Sequence, residues 1–470
     1  MHSPRDFAAR DRPRDVAPAV AAIVVLSLSA CTSGELNGVV ATADTRIPTT
    51  VDVVWDLFSP AGETWVEYGS SADTLDHETP HSTGPTATLL GLVGGRSTWL
   101  RAVTLDSAGQ RWESAPQELT IAGPPPALPI FTISDVDDAS IDPGSVVLLT
   151  LLKDGASWII GLDRSGNYVW WLESEHAVDV PSLHLTADGR GLVYLHQELR
   201  GDGEENGVRL ASFDGKTYEL VRVDDAHHDA IQLPDGGIVS IVSTDEPSVE
   251  LEDGTQAHLA IDVIRETPKG ALLLEDTRTI FSFLDDYGHA PWPMCTHFDD
   301  AGPGGGKDYV HANSLSWDAD ADAILVMSKN LDALVSVDRA TGDINWQAGG
   351  RFATLSTVDP WSHGHMSHAW SDGFVVFDNG YHHPTKASRA VEYHIDHAAG
   401  TVEPVWSFSS EAGTFSPLLG DVRKLDDTYL ISWTVGGMLT EVDSAGTVVW
   451  RASAELGNAT GRVLVLPSLY

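Results

Sequence analysis

The sequence predicts an all-β protein, and three observations support this prediction. Short segments of alternating apolar and polar residues, separated by Gly, Pro, Asp and Ser, recur along most of the 470-residue chain. A segment that resembles a β-hairpin and ends in tryptophan repeats through the C-terminal two thirds. No long segment shows the 3.6-residue hydrophobic period of an amphipathic helix. We therefore expect a small β-sandwich followed by a larger domain of repeated β-sheets.

The charge of the chain excludes one class of partner. The net charge is −40, from 28 Lys and Arg against 68 Asp and Glu, and no basic patch is present. Proteins that bind nucleic acid need clustered positive charge, so we expect no nucleic-acid partner. The acidity is more simply a solubility property than a site. An anionic substrate would need positive side chains placed locally.

The N-terminal segment 1–30 predicts export. Its charged start is followed by the apolar stretch Ala17–Ala30, which is too short for a comfortable transmembrane helix. The stretch ends at Leu28-Ser-Ala-Cys31, which resembles the lipobox of bacterial lipoproteins, so we expect a lipid on Cys31 and anchorage to the bacterial cell envelope. The alternative is an ordinary secretory signal peptide. If Cys31 carries a lipid, Cys295 has no disulfide partner, and we expect it to be a small buried hydrophobe.

Three further segments precede the repeats. Residues 31–49 are predicted to be a tether, residues 50–122 a small β-sandwich, and the proline-rich residues 123–135 a stiff linker. The spacing of aromatic and apolar residues in the sandwich resembles a fibronectin type III domain. The segments that carry this resemblance are Trp65–Gly69, Leu89–Leu92 and Trp99–Val103. We expect this domain to be a spacer or a contact between subunits of a homo-oligomer.

Residues 136–470 contain the repeat, in which an Asp-x-x-Gly type of turn leads into a strand that ends in Trp. The clear copies are Asp163–Trp170, Asp338–Trp346, Asp396–Trp406 and Asp443–Trp450, and the degenerate copies are Asp214-Gly215 and Thr267–Gly270. Six repeats of several short strands predict a six-bladed β-propeller. The apolar segment Gly461–Leu466 is suited to pair with the first blade and to close the ring.

Three histidines occupy one position relative to the turn that follows them, eight residues before it. They are His228 before Gly236, His311 before Ala319, and His365 before Gly373. Equivalent positions of a propeller face the same axis, so we expect the three imidazoles to converge. Because His368 lies only five residues before Gly373, the spacing favours His365 over His368 as the residue that faces the axis. The competing interpretation is that these are structural histidines like most of the 19 in the chain, and we expect His382 and His383 to be ordinary loop residues.

At these residues the chain resembles the bacterial arylsulfotransferase family. The resemblance covers nearly all of the predicted propeller and is strongest over residues 305–453. The segments that carry it are His311–Ser314, Ile324–Asn330, Val337–Gly350, Ser362–His365, Phe377–Gly380, Ser388–Tyr393 and Gly420–Val422. Together these motifs are fairly specific, whereas each alone would be a weak signal.

The resemblance implies a fold and an activity. The family is a six-bladed propeller with an additional N-terminal β-domain, and its members are exported. A histidine of the central channel attacks the sulfur of an aryl sulfate, and a phenolic acceptor then takes the sulfuryl group from the sulfohistidine, without a nucleotide cofactor. His365 matches the nucleophile, and His228 and His311 match the histidines that bind sulfate oxygens and move protons. Lys329 stands where the family commonly has Arg, and Asn330 where it frequently has His.

The resemblance also directs attention to polar neighbours of these residues. We expect the following to contact the substrate: His227, Asn313, His363, His368 and Asn379. No cofactor and no metal is expected for this activity.

Two other functions are compatible with the sequence. A metal-dependent hydrolase could use His363 and His365, which alternate on one face of the predicted strand, with His311 as a third zinc ligand. No carboxylate is placed as an obvious partner of this cluster, which counts against it. A non-catalytic binding propeller of the same family is the other alternative, and it rests on the replacement of the common Arg by Lys329.

Overall fold

The structure is a computed structural model, and its secondary structure is almost entirely β. It describes residues 36–470 except 57–60, 154–155, 175–181, 197–206, 272–275, 293–294, 296, 298–299, 410–413, 435–436 and 456–458. The predicted signal segment and Cys31 lie outside the described residues. The described part contains 35 strands and a short 3₁₀ turn at Pro303–Gly305, so the predicted all-β class is confirmed. None of its helical segments has the length and hydropathy of a membrane span.

The first eight strands form two packed sheets. They are β1 (Val40–Ala43), β2 (Val51–Val54), β3 (Ala61–Gly69), β4 (His77–Glu78), β5 (Thr86–Leu89), β6 (Ser97–Asp106), β7 (Arg111–Glu113) and β8 (Gln117–Thr120). One sheet has the order β1-β2-β5, and the other has the order β4-β3-β6-β7 with β8 beside β6. Alternate residues of β2 are buried and exposed, as expected for a sheet with one covered face. Val53 of the first sheet and Val66 and Leu100 of the second share one core.

The remaining strands follow in chain order. The first group is β9 (Thr132–Ser134), β10 (Val146–Lys153), β11 (Ala156–Leu162), β12 (Tyr168–Ser174), β13 (His184–Leu185), β14 (Gly191–His196), β15 (Gly207–Ser212), β16 (Tyr218–Arg222), β17 (Ala226–Gln232), β18 (Ile238–Glu250), β19 (Gln256–Thr267), β20 (Arg278–Ser282) and β21 (Lys307–Asp308). The second group is β22 (Ala312–Asp318), β23 (Ala323–Ser328), β24 (Ala333–Asp338), β25 (Ile344–Gly349), β26 (Ser356–Thr357), β27 (Gly364–Trp370), β28 (Gly373–Asp378), β29 (Arg389–Asp396), β30 (Thr401–Ser409), β31 (Asp421–Lys424), β32 (Thr428–Trp433), β33 (Met438–Asp443), β34 (Val448–Ser453) and β35 (Ala459–Leu466).

Within the described residues these strands make six antiparallel sheets of four main strands each, here called sheets I to VI. From first to fourth strand they are β35-β10-β11-β12 (I), β13 to β16 (II), β17 to β20 (III), β22 to β25 (IV), β27 to β30 (V) and β31 to β34 (VI). Short strands extend three of them: β21 pairs with β19, β26 with β30, and β9 with β34. The predicted linker 123–135 therefore contains a strand that belongs to sheet VI.

Each sheet packs against the next, and the last packs against the first. Separate apolar clusters join I with II, II with III, III with IV, IV with V, V with VI, and VI with I. The cluster between VI and I contains Trp450 of β34 beside Leu149 of β10. Because six sheets share six interfaces, the core is a closed cycle rather than one central cluster.

The six predicted turns occupy one place in the sheets, between the third and fourth strands. In the copy at Asp163, the carboxylate oxygen Oδ1 accepts from the amides of Ser165 and Asn167 at 2.9 and 2.8 Å, and Gly166 has φ 83°. In the copy at Asp443, Oδ1 accepts from the amides two and four residues on, at 2.9 and 2.7 Å. An aspartate that caps its own turn and a glycine with positive φ explain why this residue pattern repeats.

The C-terminal strand closes the cycle, as the sequence predicted. Strand β35 lies antiparallel to β10 and is the first strand of sheet I, with Leu464 opposite Leu148. Closure of this kind removes the exposed edges that separate sheets would have. It also places residues of the chain's last segment among the first strands, where the candidate site lies.

Candidate active site

The three histidines singled out by their spacing lie where the first strands of sheets III, IV and V begin. His228 is in β17, His311 directly precedes β22, and His365 is the second residue of β27. The ring centroids of His228 and His311 are 4.6 Å apart. Burial is the largest cause that lowers the pKa values of His228 and His365. Positive charge on His311 and on Lys329 lowers both pKa values further. The structure therefore brings together the four residues predicted to be catalytic.

The backbone is unusual at each of these positions. His228 and His311 have φ of 59° and 51°, and Met366, directly after His365, has φ of 52°. The pairing of the first strand with the second shifts register at the same three places. Left-handed backbone at a residue other than glycine costs about 1–3 kcal/mol and collects at functional sites. Bulges of this type redirect a side chain, which fits the convergence of these imidazoles.

His228 is linked through a second imidazole to a buried carboxylate. His227 Nδ1 lies 2.7 Å from His228 Nδ1, and His227 Nε2 lies 3.0 Å from Asp262 Oδ1. A carboxylate accepts, so His227 Nε2 carries a proton and donates to Asp262. With His227 neutral, its Nδ1 accepts from Nδ1–H of His228, and His228 Nε2 then has a lone pair. Asp262 Oδ2 also accepts from the amide of Ala312 at 2.6 Å, which holds the carboxylate between sheets III and IV.

His311 has a carboxylate partner of its own. Its Nδ1 lies 2.5 Å from Asp308 Oδ2. Burial raises the pKa of Asp308, but the hydrogen bond and charge of His311, together with the charges of Lys329 and His227, lower it more, so the carboxylate is ionised. The expectation that no carboxylate would partner the histidine cluster is wrong. Asp308 could have been noticed three residues before His311, whereas Asp262 is distant in sequence and only the sheet pairing brings it close.

His365 is the most enclosed of the three imidazoles. Its exposure is 4%, and Nδ1 is buried without a hydrogen-bond partner in the described part of the chain. Burial, and then the charge of Arg462, lower the pKa of His365 well below its usual value. The imidazole is therefore neutral near pH 7, with a lone pair available on one ring nitrogen.

Lys329 lies in the turn after β23, and its amide donates to the carbonyl of His311 at 3.1 Å. Burial lowers the pKa of the Lys329 ammonium, although Asp308 opposes this effect. Among the described residues, no carboxylate lies within ion-pair distance of this ammonium. The charge is thus partly desolvated and available to an anion.

A second buried cation, Arg462, escaped the sequence analysis. It lies on β35 with a fully buried side chain, and its Nη2 donates to Asp229 Oδ2 at 2.7 Å. Asp229 Oδ1 also lies 2.7 Å from His184 Nε2 on the first strand of sheet II. Arg462 Nη2 also donates to the carbonyl of Asn313 at 3.2 Å, and Asn313 Nδ2 in turn donates to the carbonyl of Gly364, the residue before His365. The segment was read only as an apolar closing strand, and the single Arg within it was the available signal.

His368 belongs to a separate polar group. Arg423 Nη1 donates to its Nδ1 at 2.8 Å, so the proton of the neutral ring is on Nε2, which lies 2.8 Å from Asp421 Oδ1. Burial, followed by the charge of Arg423, lowers the pKa of His368 to about 3. Both nitrogens are therefore occupied by protein groups.

The two asparagines predicted to contact substrate bond to backbone carbonyls. Asn313 Nδ2 donates to the carbonyl of Gly364 at 3.0 Å and so ties β22 to the residue before His365. Asn379 Nδ2 donates to the carbonyls of Ser416 and Leu419 at 2.6 and 3.0 Å. Both side chains are fully buried, and in both the amide oxygen has no partner among the described residues.

His363 does not share a strand face with His365. It precedes β27 in a left-handed conformation, φ 53°, and its Nε2 lies 2.8 Å from Cys295 Sγ. Within the described residues, the group of side chains close enough to hold a metal is Cys295, His363 and His382, and it does not include His311 or His365. The three-histidine zinc site considered from the sequence is therefore not formed. Cys295 is buried as expected, but it contacts imidazoles rather than only apolar groups.

The fold and the site define a class of all-β proteins with a buried centre of several histidines and cations on adjoining first strands. Residues 138–456 match the family described as Arylsulfotransferase (ASST), and the chain belongs to this family. This match covers the region in which the sequence resemblance was recognised.

Curated relatives carry the same description. The chain is 26% identical over 335 residues to the arylsulfate sulfotransferase AssT of Escherichia coli O6:H1, covering 56% of this chain and 55% of that protein. It is 25% identical over 342 residues to AssT of Lelliottia amnigena, covering 58% and 56%. The matched region thus spans about half the length of these relatives. Among solved structures, a protein of unknown function from Bacteroides caccae is 13% identical with a TM-score of 0.41, over 69% of this chain and 99% of that one.

Proposed function

We propose that this chain transfers a sulfuryl group from an aryl sulfate to a phenolic acceptor through a sulfohistidine on His365. Membership in the arylsulfotransferase family and the names of the curated relatives support this reaction. The observation that carries the proposal is the environment of His365. A neutral, enclosed imidazole with an unpartnered nitrogen lies beside two more histidines and two buried cations.

Sulfuryl transfer needs little beyond a nucleophile and charge. Its transition state resembles that of phosphoryl transfer, which is loose and spreads charge over three oxygens. Donors and cations fixed in a site of low dielectric stabilise such charge more strongly than water does. Lys329 is suited to this role because its ammonium pairs with no carboxylate among the described residues.

In the first half-reaction, the lone pair of a ring nitrogen of His365 attacks sulfur. The nitrogen–sulfur bond forms as the bond between sulfur and the aryl oxygen breaks, and the electron pair leaves on the phenolate. His311, whose Nδ1 is held by Asp308, gives a proton to that oxygen from Nε2. The products are the sulfohistidine and a free phenol.

In the second half-reaction, the hydroxyl of the acceptor attacks sulfur, and the nitrogen–sulfur bond breaks. His311, now without its Nε2 proton, can take back the hydroxyl proton, as microscopic reversibility requires. The lone pair on His228 Nε2 is an alternative base. If it accepts a proton, its Nδ1 proton can pass to His227, whose positive charge Asp262 then stabilises. The paired imidazoles therefore form a route by which the site can hold a proton between half-reactions.

The direct test is the His365→Ala variant, assayed for release of nitrophenol from nitrophenyl sulfate in the presence of phenol. We expect turnover to fall to the background rate, because the variant lacks the imidazole that would attack sulfur. His394→Ala, which removes an exposed imidazole from β29, is the matched control. Turnover by His365→Ala at the rate of the control would refute the assignment of the nucleophile.

Trapping separates this proposal from its alternative. Incubation with the aryl sulfate alone, followed by peptide mass analysis under neutral conditions, should find one sulfuryl group on the peptide that contains His365. A chain that binds aryl sulfate but releases no phenol would instead be a binding protein of the family.

The proposed fold is a six-bladed β-propeller with a fibronectin type III-like domain in front of it. The closed cycle of six sheets supports the propeller, and the two packed sheets of residues 40–120 support the smaller domain. Crystallography of the purified protein would test both.

The proposed location is the bacterial cell envelope, with a lipid on Cys31. The lipobox-like segment Leu28–Cys31 supports it. Metabolic labelling with a fatty acid should mark the wild-type protein and not Cys31→Ala. Equal labelling of both would refute this attachment site.

A further inference from the structure

A group of thiol and imidazole side chains lies next to the proposed catalytic centre and takes no part in its chemistry. Cys295 precedes sheet IV, His363 precedes β27, and His382 follows β28, so three separate segments meet here. Cys295 Sγ lies 2.8 Å from His363 Nε2 and 3.5 Å from His382 Nε2. A third imidazole, His297, has its Nδ1 at 3.2 Å from the same sulfur.

We propose that Cys295, His363 and His382 bind one divalent transition-metal ion of the zinc type. The three potential ligand atoms lie within 4.8 Å of one another. A thiolate with two imidazoles is a donor set that selects zinc and similar ions over magnesium or calcium. This site is distinct from the sulfuryl-transfer centre, and its existence does not depend on that function.

The two sulfur–nitrogen distances fit such an ion after a small adjustment. Zinc–sulfur and zinc–nitrogen bonds of about 2.3 and 2.05 Å at tetrahedral angles place sulfur and nitrogen about 3.5 Å apart. The contact from Cys295 to His382 has this length, and the contact from Cys295 to His363 would lengthen by roughly 0.7 Å. His382 is exposed in the loop after β28 and can move, whereas Cys295 and His363 are buried.

The surroundings prepare the ligands. A neutral imidazole coordinates through a ring nitrogen, and His363 Nε2 is the nitrogen that faces Cys295 Sγ at 2.8 Å. The Tyr381 ring stacks on the His363 ring, with 4.8 Å between the ring centroids. The backbone amide of His363 donates to Asp332 Oδ1 at 2.6 Å, which fixes the start of β27. Three protein ligands leave a fourth position for water, for His297 or for an anionic ligand.

Such an ion would have two effects. It would tie the segment before sheet IV to both ends of the β27–β28 hairpin, which carries His365. It would also add positive charge close to Lys329, whose pKa is already sensitive to Cys295. A bound cation there would strengthen the local field for an anionic substrate.

The test is a titration of the purified, chelator-treated full chain with Co²⁺, followed by displacement with Zn²⁺. We expect one equivalent of Co²⁺ per chain and a near-ultraviolet absorption from thiolate to Co²⁺ charge transfer. Cys295→Ser should remove this absorption, and His382→Ala should weaken binding by about tenfold or more. His394→Ala, which removes an imidazole elsewhere, should behave as wild type.

Two further measurements on the same samples show whether a loss of metal binding results from unfolding. His382→Ala alters an exposed loop residue, so its circular dichroism should match wild type, and only wild type and the control should gain thermal stability on adding Zn²⁺. Binding of less than a stoichiometric amount of Co²⁺ by wild type would overturn the proposal. So would binding whose sulfur absorption persists in Cys295→Ser. Activity is not the readout, so failure of the sulfotransferase assay would leave this result intact.

Discussion

Replacement of Arg462 by Leu should destabilise the closed cycle of sheets. Arg462 and Asp229 form an ion pair in which both side chains are fully buried. Removal of one partner from such a pair costs about 3–5 kcal/mol, because the other charge stays desolvated. His184 and the amide of Leu315 still bond to Asp229, at 2.7 and 2.8 Å. We therefore expect a loss near the lower end, about 3 kcal/mol in the free energy of unfolding.

The assay is urea unfolding followed by tryptophan fluorescence, at pH 8 and at pH 5. In wild type, burial is the largest cause that lowers the pKa of His184, and Arg462 adds to it, so the folded ring resists protonation. In the variant, a protonated His184 can pair with Asp229. Protonation of His184 therefore costs the variant less stability than it costs the wild type. We expect the substitution to lower the free energy of unfolding by less at pH 5 than at pH 8.

The double variant Arg462→Leu with Asp229→Asn is the control for charge. Asn is neutral, and its amide oxygen can still accept from Leu315, so the double variant should recover part of the lost stability. A single variant that loses less than about 1 kcal/mol would refute the argument from buried charge. Equal losses at both pH values would refute the part assigned to His184.

Three other changes test separate parts of the molecule. Lys329→Met should lower kcat by about 10²–10³-fold, as for loss of a group that stabilises transition-state charge, while Lys329→Arg should retain most activity; equal rates in both would contradict that role. Asp308→Asn should lower kcat by at least about tenfold and shift its pH profile, because His311 loses an ionised partner; an unchanged profile would argue against it. Gly420→Ala should lower the free energy of unfolding by about 1–3 kcal/mol, because φ is 93° and the added Cβ would lie 2.3 Å from a Phe377 ring carbon; wild-type thermal stability would contradict this.

Local residue patterns were enough to predict the repeated hairpins and the closing strand. The turns of the repeat satisfy their own hydrogen bonds, as at Asp163, so their signal is contained in a few consecutive residues. The eight-residue spacing found His228, His311 and His365 for the same reason, since it measures position along one hairpin. In each case, the residues that determine the structure lie close together in the sequence.

The parts that were missed depend on contacts between distant segments. Asp262 reaches His227 from another strand of sheet III, and Arg462 reaches Asp229 across 233 residues. His363 was placed wrongly because strict alternation was assumed up to His365, whereas the left-handed backbone at His363 turns its ring towards Cys295. Neither the spacing nor the composition contains this information.

The closing strand makes the chemical centre depend on a segment that lies far along the sequence from the first strands of the cycle. Until β35 pairs with β10, Asp229 lacks its guanidinium partner and His365 lacks the cation that helps keep it neutral. A chain without β35 would therefore expose the edge of β10 and leave the charge of Asp229 without a guanidinium to balance it. Competence for chemistry and completion of the fold are reached together, and a chain cut before residue 459 should have neither.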